Sequence, residues 1–563
     1  MGEHKYRSLL ISDFNADNLA GYIRNDNHFP AMDALAAPFG QVVSVLMQQN
    51  LECWRTNPDL AVVWTQPETI VESFLQVLAY GDFSMDAIFD EVDRYSSLLA
   101  GIHERVKLVL VPTWLCPAQC RGLGMLDMRT GMGIANTLMR MNLRLVENLE
   151  KISNLFVLDS QRWMNIAGKD AFNPKLWYMG KIPFGNQVFK EATMDIKAAF
   201  RGIIGDTRKL IILDLDDTLW GGIVGDIGWK NLRLGGHDHI GESYADFQRV
   251  LKSLTNRGIL LGIVSKNEET IALEAIKSHP EMVLRLDDFA GWKINWNDKA
   301  QNVVDLVSDL NLGLQSVVFI DDNPVERARV REALPEVLVP ELPVNKMLYS
   351  SALLSLHCFD TPSISREDLE RAAMYVAERG RKESQRQVGS PDEWLRSLGT
   401  VAKAEGLNEV NLQRTVQLLN KTNQMNLRTR RMSASELLKW AAEGNHRLWT
   451  FRVSDKFGDS GLTGIVSLEV NDKIGTIEDF VLSCRVMLRK LEETMLHVVV
   501  DYAQSIGLKE IRAEYLPTPK NRPCVSFLEN SGFKCKGGNI FSWKVNKSYA
   551  MPPHVELEND SRG

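Results

Sequence analysis

Three short apolar runs in the middle of the chain, Leu210–Leu213, 260–264 and Val317–Ile320, each stop abruptly at polar residues. Fully apolar runs of this length suit strands buried on both faces of a parallel sheet. Helical spacing fills the gaps. Phe247, Val250, Leu251 and Leu254 fall at i, i+3, i+4 and i+7 before Gly258, and Val303, Leu306, Val307 and Leu310 repeat the pattern before Gly313. From Thr207 to about Pro343 the chain therefore reads as strand, loop, helix without exception. Earlier, strands at 9–11, 107–111 and Leu155–Leu158 and a long helix at 134–152 predict a separate mixed α/β unit. Later, a charged helical stretch at 366–387 leads to strands at 462–470, 476–482 and 510–515. A hairpin turn around Phe457-Gly458-Asp459 and a helix through Leu491, Met495, Val498 and Val499 complete that unit. The expected fold class is multidomain α/β: 1–195, a central parallel sheet at 205–345, a helical connector at 346–400, and a second α/β unit at 401–548. The polar stretch 549–563, with Pro552 and Pro553, is expected to be disordered.

Composition narrows the class. At 563 residues the chain needs several cores. Its 65 basic and 72 acidic residues leave a charge of −7, which speaks against a general nucleic-acid binder. No apolar stretch approaches membrane-spanning length. The seven cysteines are odd in number and scattered, which predicts a reducing, cytoplasmic setting. Cys116 and Cys120 form one pair with no second pair or nearby histidine, so two thiols in a loop is the favoured reading over zinc.

The polar residues that end the three strands carry the chemistry. They are Asp214-Leu215-Asp216-Asp217-Thr218, Ser265-Lys266-Asn267 and Asp321-Asp322-Asn323-Pro324. In open α/β sheets ligands bind beyond the carboxyl ends of strands, so the clusters should converge. A turn just past the first strand would bring Asp214 and Asp216 to one site. Asp214, with Asp216 and one or both of Asp321 and Asp322, supplies hard oxygen ligands suited to Mg²⁺. Asp214 is then the nucleophile toward phosphorus and Asp216 the acid and base. Thr218 and Ser265 serve the phosphoryl oxygens, and Lys299 neutralises their charge, with Lys293 a nearby competitor.

These motifs resemble the haloacid dehalogenase superfamily: residues 214–218 match its Asp-x-Asp-x-Thr motif, 260–265 its second motif, and Asp321-Asp322 its fourth. Only about 50 residues separate Asp214 from Ser265, too few for a large cap domain, so an open site is expected. His237 and His239 fall in this interval, where a polar loop is the favoured reading over a metal role.

A narrower likeness rests on Asp214-Leu215-Asp216-Asp217-Thr218-Leu219-Trp220-Gly221-Gly222, on Lys293-Ile294-Asn295-Trp296 and on Phe319-Ile320-Asp321-Asp322-Asn323-Pro324-Val325-Glu326-Arg327. It resembles the FkbH-like proteins, glyceryl transferases of polyketide pathways. The resemblance implies 1,3-bisphosphoglycerate as donor, loss of phosphate, and delivery of a glyceryl group to the phosphopantetheine thiol of an acyl carrier protein by way of an enzyme cysteine. The C-terminal unit resembles the GNAT acyltransferase fold, whose glycine-rich loop at a helix start binds pyrophosphate. Here that segment, Cys484-Arg485-Val486-Met487-Leu488-Arg489, has no glycine, which argues against ordinary acetyl-CoA binding. Its Ser483–Val486 part matches a Ser-Cys-Arg-Val element of FkbH-like proteins. Cys484, with Arg485, Arg489 and a helix start nearby, is either an activated thiolate or a buried inert thiol. The residues alone leave the two even, and the resemblance favours the first. Cys524 and Cys535 are weaker candidates.

The N-terminal unit faintly resembles SGNH hydrolases, yet Ile11-Ser12-Asp13-Phe14 lacks the nucleophilic serine and no histidine lies between His103 and His237. It reads as non-catalytic, a candidate docking surface for the carrier. Two rival readings of the whole remain: a Mg²⁺-dependent phosphatase of a small metabolite, and a scaffold for carrier proteins.

Overall fold

The computed structural model describes residues 5–116, 121–364, 366–422, 424–518 and 521–559, the side chains of Arg366, Glu367, Glu383, Arg386, Gln387, Lys421 and Cys484 excepted. The chain divides into two compact units: 1–211 with 236–250 and 312–365, and 212–235 with 251–311 and 366–563.

In the first unit, strands β1 (Tyr6–Ser12), β2 (Met32–Ala36), β3 (Leu60–Trp64), β4 (Leu108–Pro112) and β5 (Leu155–Leu158) form a parallel sheet in the order β2-β1-β3-β4-β5. Alternate residues enter two different cores. Leu9, Ile11, Ala61, Val63, Val109 and Val111 pack on one face, and Leu10, Leu60, Val62, Leu108 and Leu110 on the other. With both faces covered, the inner strands β3 and β4 carry no polar position. The helix expected at 134–152 runs Ile134–Leu149.

The central sheet has strands β6 (Leu210–Leu213), β7 (Leu260–Ser265), β8 (Phe289–Ile294) and β9 (Val317–Ile320) in the order β8-β7-β6-β9. Every residue of β6, β7 and β9 is buried, as the unbroken apolar runs predicted. β8 was not anticipated. Its Gly291-Trp292-Lys293 stretch is half polar, because β8 is an edge strand with partly exposed side chains.

The C-terminal sheet holds nine strands: β10 (Thr400–Gly406), β11 (Met425–Asn426), β12 (His446–Asp455), β13 (Gly458–Asn471), β14 (Ile474–Leu482), β15 (Glu510–Glu514), β16 (Lys534–Cys535), β17 (Ile540–Lys544) and β18 (Val555–Asn559). Their order is β16-β17-β15-β14-β13-β12-β10-β18, with β11 on β14. The hairpin expected around Phe457 joins β12 to β13. β14 and β15 pair in parallel only from Ile474 to Ile477, after which β14, still paired with β13, leaves β15 and meets β11 at Val481 and Leu482. The 366–387 stretch is helical, as Arg366–Leu369 and Arg371–Gln387. Buried Arg381 and Arg489 tie it to this sheet through Asp455 and Glu378.

The expected disordered tail is corrected. Val555–Asn559 is a strand, paired in parallel with β10 from Thr400↔Val555 to Ala404↔Asn559. Its Val-Glu-Leu-Glu alternation buries Val555 while the glutamates face out, so a period-two pattern outweighs a polar composition. Residues 560–563 lie outside the described residues.

Candidate phosphoryl-transfer site

Asp214 follows the last residue of β6 and is buried. The backbone then turns sharply. Asp217 takes a left-handed φ of +52°, which Asp tolerates better than most residues, and the Thr218 and Leu219 N–H groups both donate to the Leu215 carbonyl. This turn cancels the alternation that would send Asp214 and Asp216 to opposite sides. Asp216 Oδ1 accepts from Trp220 Nε1 (2.9 Å) and the Val224 N–H (3.0 Å), and Oδ2 accepts from Asn267 Nδ2 (2.9 Å). Burial nevertheless raises its pKa above the ordinary carboxylate value, with the Asp214 charge adding to the rise. Thr218 is fully buried beneath the turn.

Ser265, the last residue of β7, is buried and receives a hydrogen bond on Oγ from Asn267 Nδ2 at 3.2 Å. Its carbonyl accepts the Asn295 N–H at 3.1 Å, which fixes the loop after β8. Asn295 and Asn302 hold each other through their amides, and Asn302 lies on the helix that Lys299 begins. The Asp298 side chain caps that helix through the Gln301 N–H. Lys299, 3% exposed, places Nζ 3.0 Å from Asp214 Oδ2. Lys293 instead pairs with Asp309 at 2.8 Å. The geometry thus separates the two lysines that the sequence left open.

Asp214, Asp321 and Asp322 offer carboxylate oxygens that all lie within 4.8 Å of one another. Asp214 Oδ1 is buried and has no hydrogen-bond partner among the described residues. An orphaned buried oxygen among three carboxylates fits a hard divalent cation, and Asp214, Asp321 and Asp322 would hold Mg²⁺. The loop that carries the last two is fixed by Arg327, whose Nη1 donates to both their carbonyls at 2.8 Å. Lys346 Nζ stands 3.4 Å from Asp322 Oδ2. Asn267, Arg327 and Lys346 received no role from the sequence. Asn267 stood inside the polar cluster that ends β7, but only the fold shows that it bridges Ser265 and Asp216. His237 and His239 are both exposed; His237 lies in a loop as expected, whereas His239 opens the helix His239–Thr255.

Around Cys484 the picture changes. Its backbone opens a 3-10 turn, Cys484–Val486, while its side chain lies outside the described residues, as does Cys120. The following helix is Leu491–Ser505, so its N-terminus is seven residues downstream rather than beside Cys484. Arg489, expected to favour a thiolate, is committed to Glu378 (2.6 Å) and Asp455 (3.3 Å). Arg485 Nε donates to Ser483 Oγ at 3.3 Å. Leu488 and Lys490 both adopt left-handed φ, +65° and +67°, where a glycine would sit without strain. The Leu488 N–H donates to Glu492 Oε1 at 2.9 Å, and Glu492 is itself buried with its pKa raised by burial. A carboxyl group of the chain's own thus takes up the N–H of this loop. Cys524 is fully buried, its thiol pushed up to about 12, whereas Cys535 is exposed.

No protein-family model and no curated protein matches the chain. Among solved structures it is similar to the N-terminal part of the protein BF1531 from Bacteroides fragilis, containing a phosphatase domain complexed with Mg. Identity is 28%, the TM-score 0.58, and the match covers 64% of this chain and 95% of that chain. This likeness supports a haloacid-dehalogenase-like phosphatase domain here. The ribosomal-protein-S18-alanine N-acetyltransferase of Escherichia coli covers 26% of this chain and 96% of its own, at 12% identity and TM-score 0.21. Spermidine N-acetyltransferase of Vibrio cholerae, in complex with CoA and spermine, covers 26% and 96%, at 19% and 0.22. Likenesses that slight carry no argument. Among the described residues no helix is long and apolar enough to cross a membrane.

Proposed function

We propose that the chain removes phosphate from 1,3-bisphosphoglycerate and passes the glyceryl group, through a thioester on Cys484, to the phosphopantetheine thiol of an acyl carrier protein. The observation that carries the phosphoryl half is the meeting of Asp214, Lys299 and Asp216 at the end of β6. Asp214 attacks the phosphorus of the C3 phosphomonoester, and the departing glyceryl oxygen takes a proton held by Asp216. Asp216 then withdraws a proton from the water that cleaves the aspartyl phosphate. Lys299 and Ser265 face the charge that develops on the phosphoryl oxygens. Mg²⁺, when bound, offsets the repulsion between the phosphate and Asp214. In the acyl half the thiolate of Cys484 attacks the acyl phosphate carbonyl, phosphate leaves, and the pantetheine thiol later displaces Cys484.

The acyl half is supported by the Ser483–Val486 match and by Glu492, whose carboxyl fills the loop that would otherwise grip CoA pyrophosphate. The rival reading, a Mg²⁺-dependent phosphatase of a small metabolite, is favoured by the likeness to BF1531 alone. Intact-mass analysis of a carrier protein incubated with enzyme, Mg²⁺ and 1,3-bisphosphoglycerate separates them. A gain of one glyceryl group is expected with wild type. Asp214→Asn should lose phosphomonoester cleavage by orders of magnitude, and Cys484→Ser should retain that cleavage but load no carrier. Phosphate release without any glyceryl adduct would leave the phosphatase reading.

A further inference from the structure

The second unit contains a cavity of about 570 Å³ whose lining runs from Asn295, beside the phosphoryl site, to Arg485, the chain neighbour of Cys484. One wall is the edge strand β8 and the loop after it, from Ala290 to Asn295; the other is the helix Arg371–Gln387. Asn295 ties the first wall to the phosphoryl site, because its N–H binds the Ser265 carbonyl and its amide holds Asn302, on the helix that Lys299 begins. Arg485, next in sequence to Cys484, lines the same cavity together with Ser460.

The helix serves as a ruler. Met374, whose sulfur contacts Arg485, and Lys382, whose Nζ donates to the Asp309 carbonyl at 2.6 Å, both line the cavity. Eight residues apart, they stand about 12 Å from each other along the axis. At the Lys382 end, Lys293 pairs with the Asp309 carboxylate while Lys382 rests on the Asp309 backbone carbonyl, so two ammonium groups face one carboxylate charge. Midway, the Arg379 guanidinium lies 4.5 Å over the Trp292 ring and donates to the Phe289 carbonyl. A ligand suited to this shape is extended, anionic at one end, and able to make amide hydrogen bonds along a strand edge.

We infer that this cavity holds the phosphopantetheine arm of the carrier protein, its phosphate at the Lys293–Lys382 end and its thiol toward Arg485. The inference rests on the transferase reading above for the identity of the partner. Charge complementarity supports the occupant, since the excess ammonium charge suits a phosphodiester. So does length: an extended chain with two amides spans about 15 Å, by analogy with four or five extended residues, which the ruler accommodates with the phosphate at the mouth. Ser460, buried at the Arg485 end, leaves room there that a larger side chain would close.

The test is calorimetric titration of the full chain with 4′-phosphopantetheine, without donor. Wild type should bind saturably. Lys382→Glu, an exposed change, should weaken binding at least tenfold, and Ser460→Phe should abolish it. Both variants should hydrolyse a small phosphate ester with Mg²⁺ at the wild-type rate, which shows them folded. Absence of saturable binding by wild type, or wild-type affinity in Lys382→Glu, overturns the inference. Saturable binding without any glyceryl transfer would sink the transferase reading and leave the cavity assignment standing. Carrier loading at the wild-type rate by both variants would do the reverse.

Discussion

Lys299→Met tests the electrostatics of the phosphoryl site most sharply, because the change keeps the length of the side chain and removes only its charge. Lys299 and Asp214 are both more than nine-tenths buried and stand 3.0 Å apart. Removing one member of a buried pair strands the other charge, at a cost of about 3–5 kcal/mol. With roughly 2–4 °C per kcal/mol for a domain of this size, the transition containing this site should drop by roughly 10 °C in EDTA. Mg²⁺ changes the comparison. In wild type Lys299 already offsets part of the carboxylate charge, and saturating Mg²⁺ adds about 2.7 kcal/mol at a hundredfold excess over Kd. Without Lys299 the cluster attracts the cation more strongly, so the Mg²⁺-induced rise in melting temperature should be larger in the variant. Asp214→Asn in the Lys299→Met background should recover much of the loss, since no stranded charge then remains. Thermal melts of wild type, both single variants and the double variant, each with Mg²⁺ and with EDTA, give every term. Equal melting of wild type and Lys299→Met in EDTA, or an unchanged Mg²⁺ increment, would refute the pairing.

Asp13 in the first unit makes a pH prediction. Burial raises its pKa from 3.8 to about 7, so the folded chain keeps a proton that the unfolded chain loses. Stability should therefore fall as pH rises from about 4 to about 7, by at most about 4 kcal/mol, and level off above. Asp13→Asn should flatten that slope in denaturant titrations across the range; an identical slope would refute it. Native alkylation followed by peptide mass mapping should label exposed Cys535 well ahead of Cys524 and Cys358, both buried with thiols pushed up to about 12. Early labelling of Cys524 would contradict its burial. A stop after Tyr549 removes β18 and exposes β10, and should lower the melting temperature of the C-terminal unit by several degrees, whereas a truly disordered tail would cost nothing.

Fold was most legible where burial is complete. β6 and β9 appear at the bounds their apolar runs predicted, because a strand covered on both faces admits no polar residue to blur its ends. Edge strands give no such signal. β8 mixes Gly291, Trp292 and Lys293, and β18 alternates valine and leucine with glutamate, so composition pointed elsewhere. The alternation in β18 was readable, but only pairing with β10 distinguishes five such residues from a solvated tail.

The site was legible in residue type more than in partnership. Asp214, Asp216, Ser265 and Asp321 announced themselves by ending buried strands. Which lysine faces Asp214 depends on where β8 stops and the next helix begins, and six residues of separation cannot settle that without the fold. Lys293 lies on the strand and finds Asp309, while Lys299 begins a helix aimed back at the end of β6. The loop after Cys484 carries the same lesson further. Its missing glycine argued against a pyrophosphate grip, yet did not say what takes up the loop N–H. Leu488 keeps the left-handed φ that a glycine would adopt, and its N–H is taken by Glu492. A glycine at 488 would relieve the strain but leave the carboxyl in place. Restoring an anion site therefore requires removing Glu492 as well. On this argument Leu488→Gly alone should not confer CoA binding, and Leu488→Gly with Glu492→Ala should begin to.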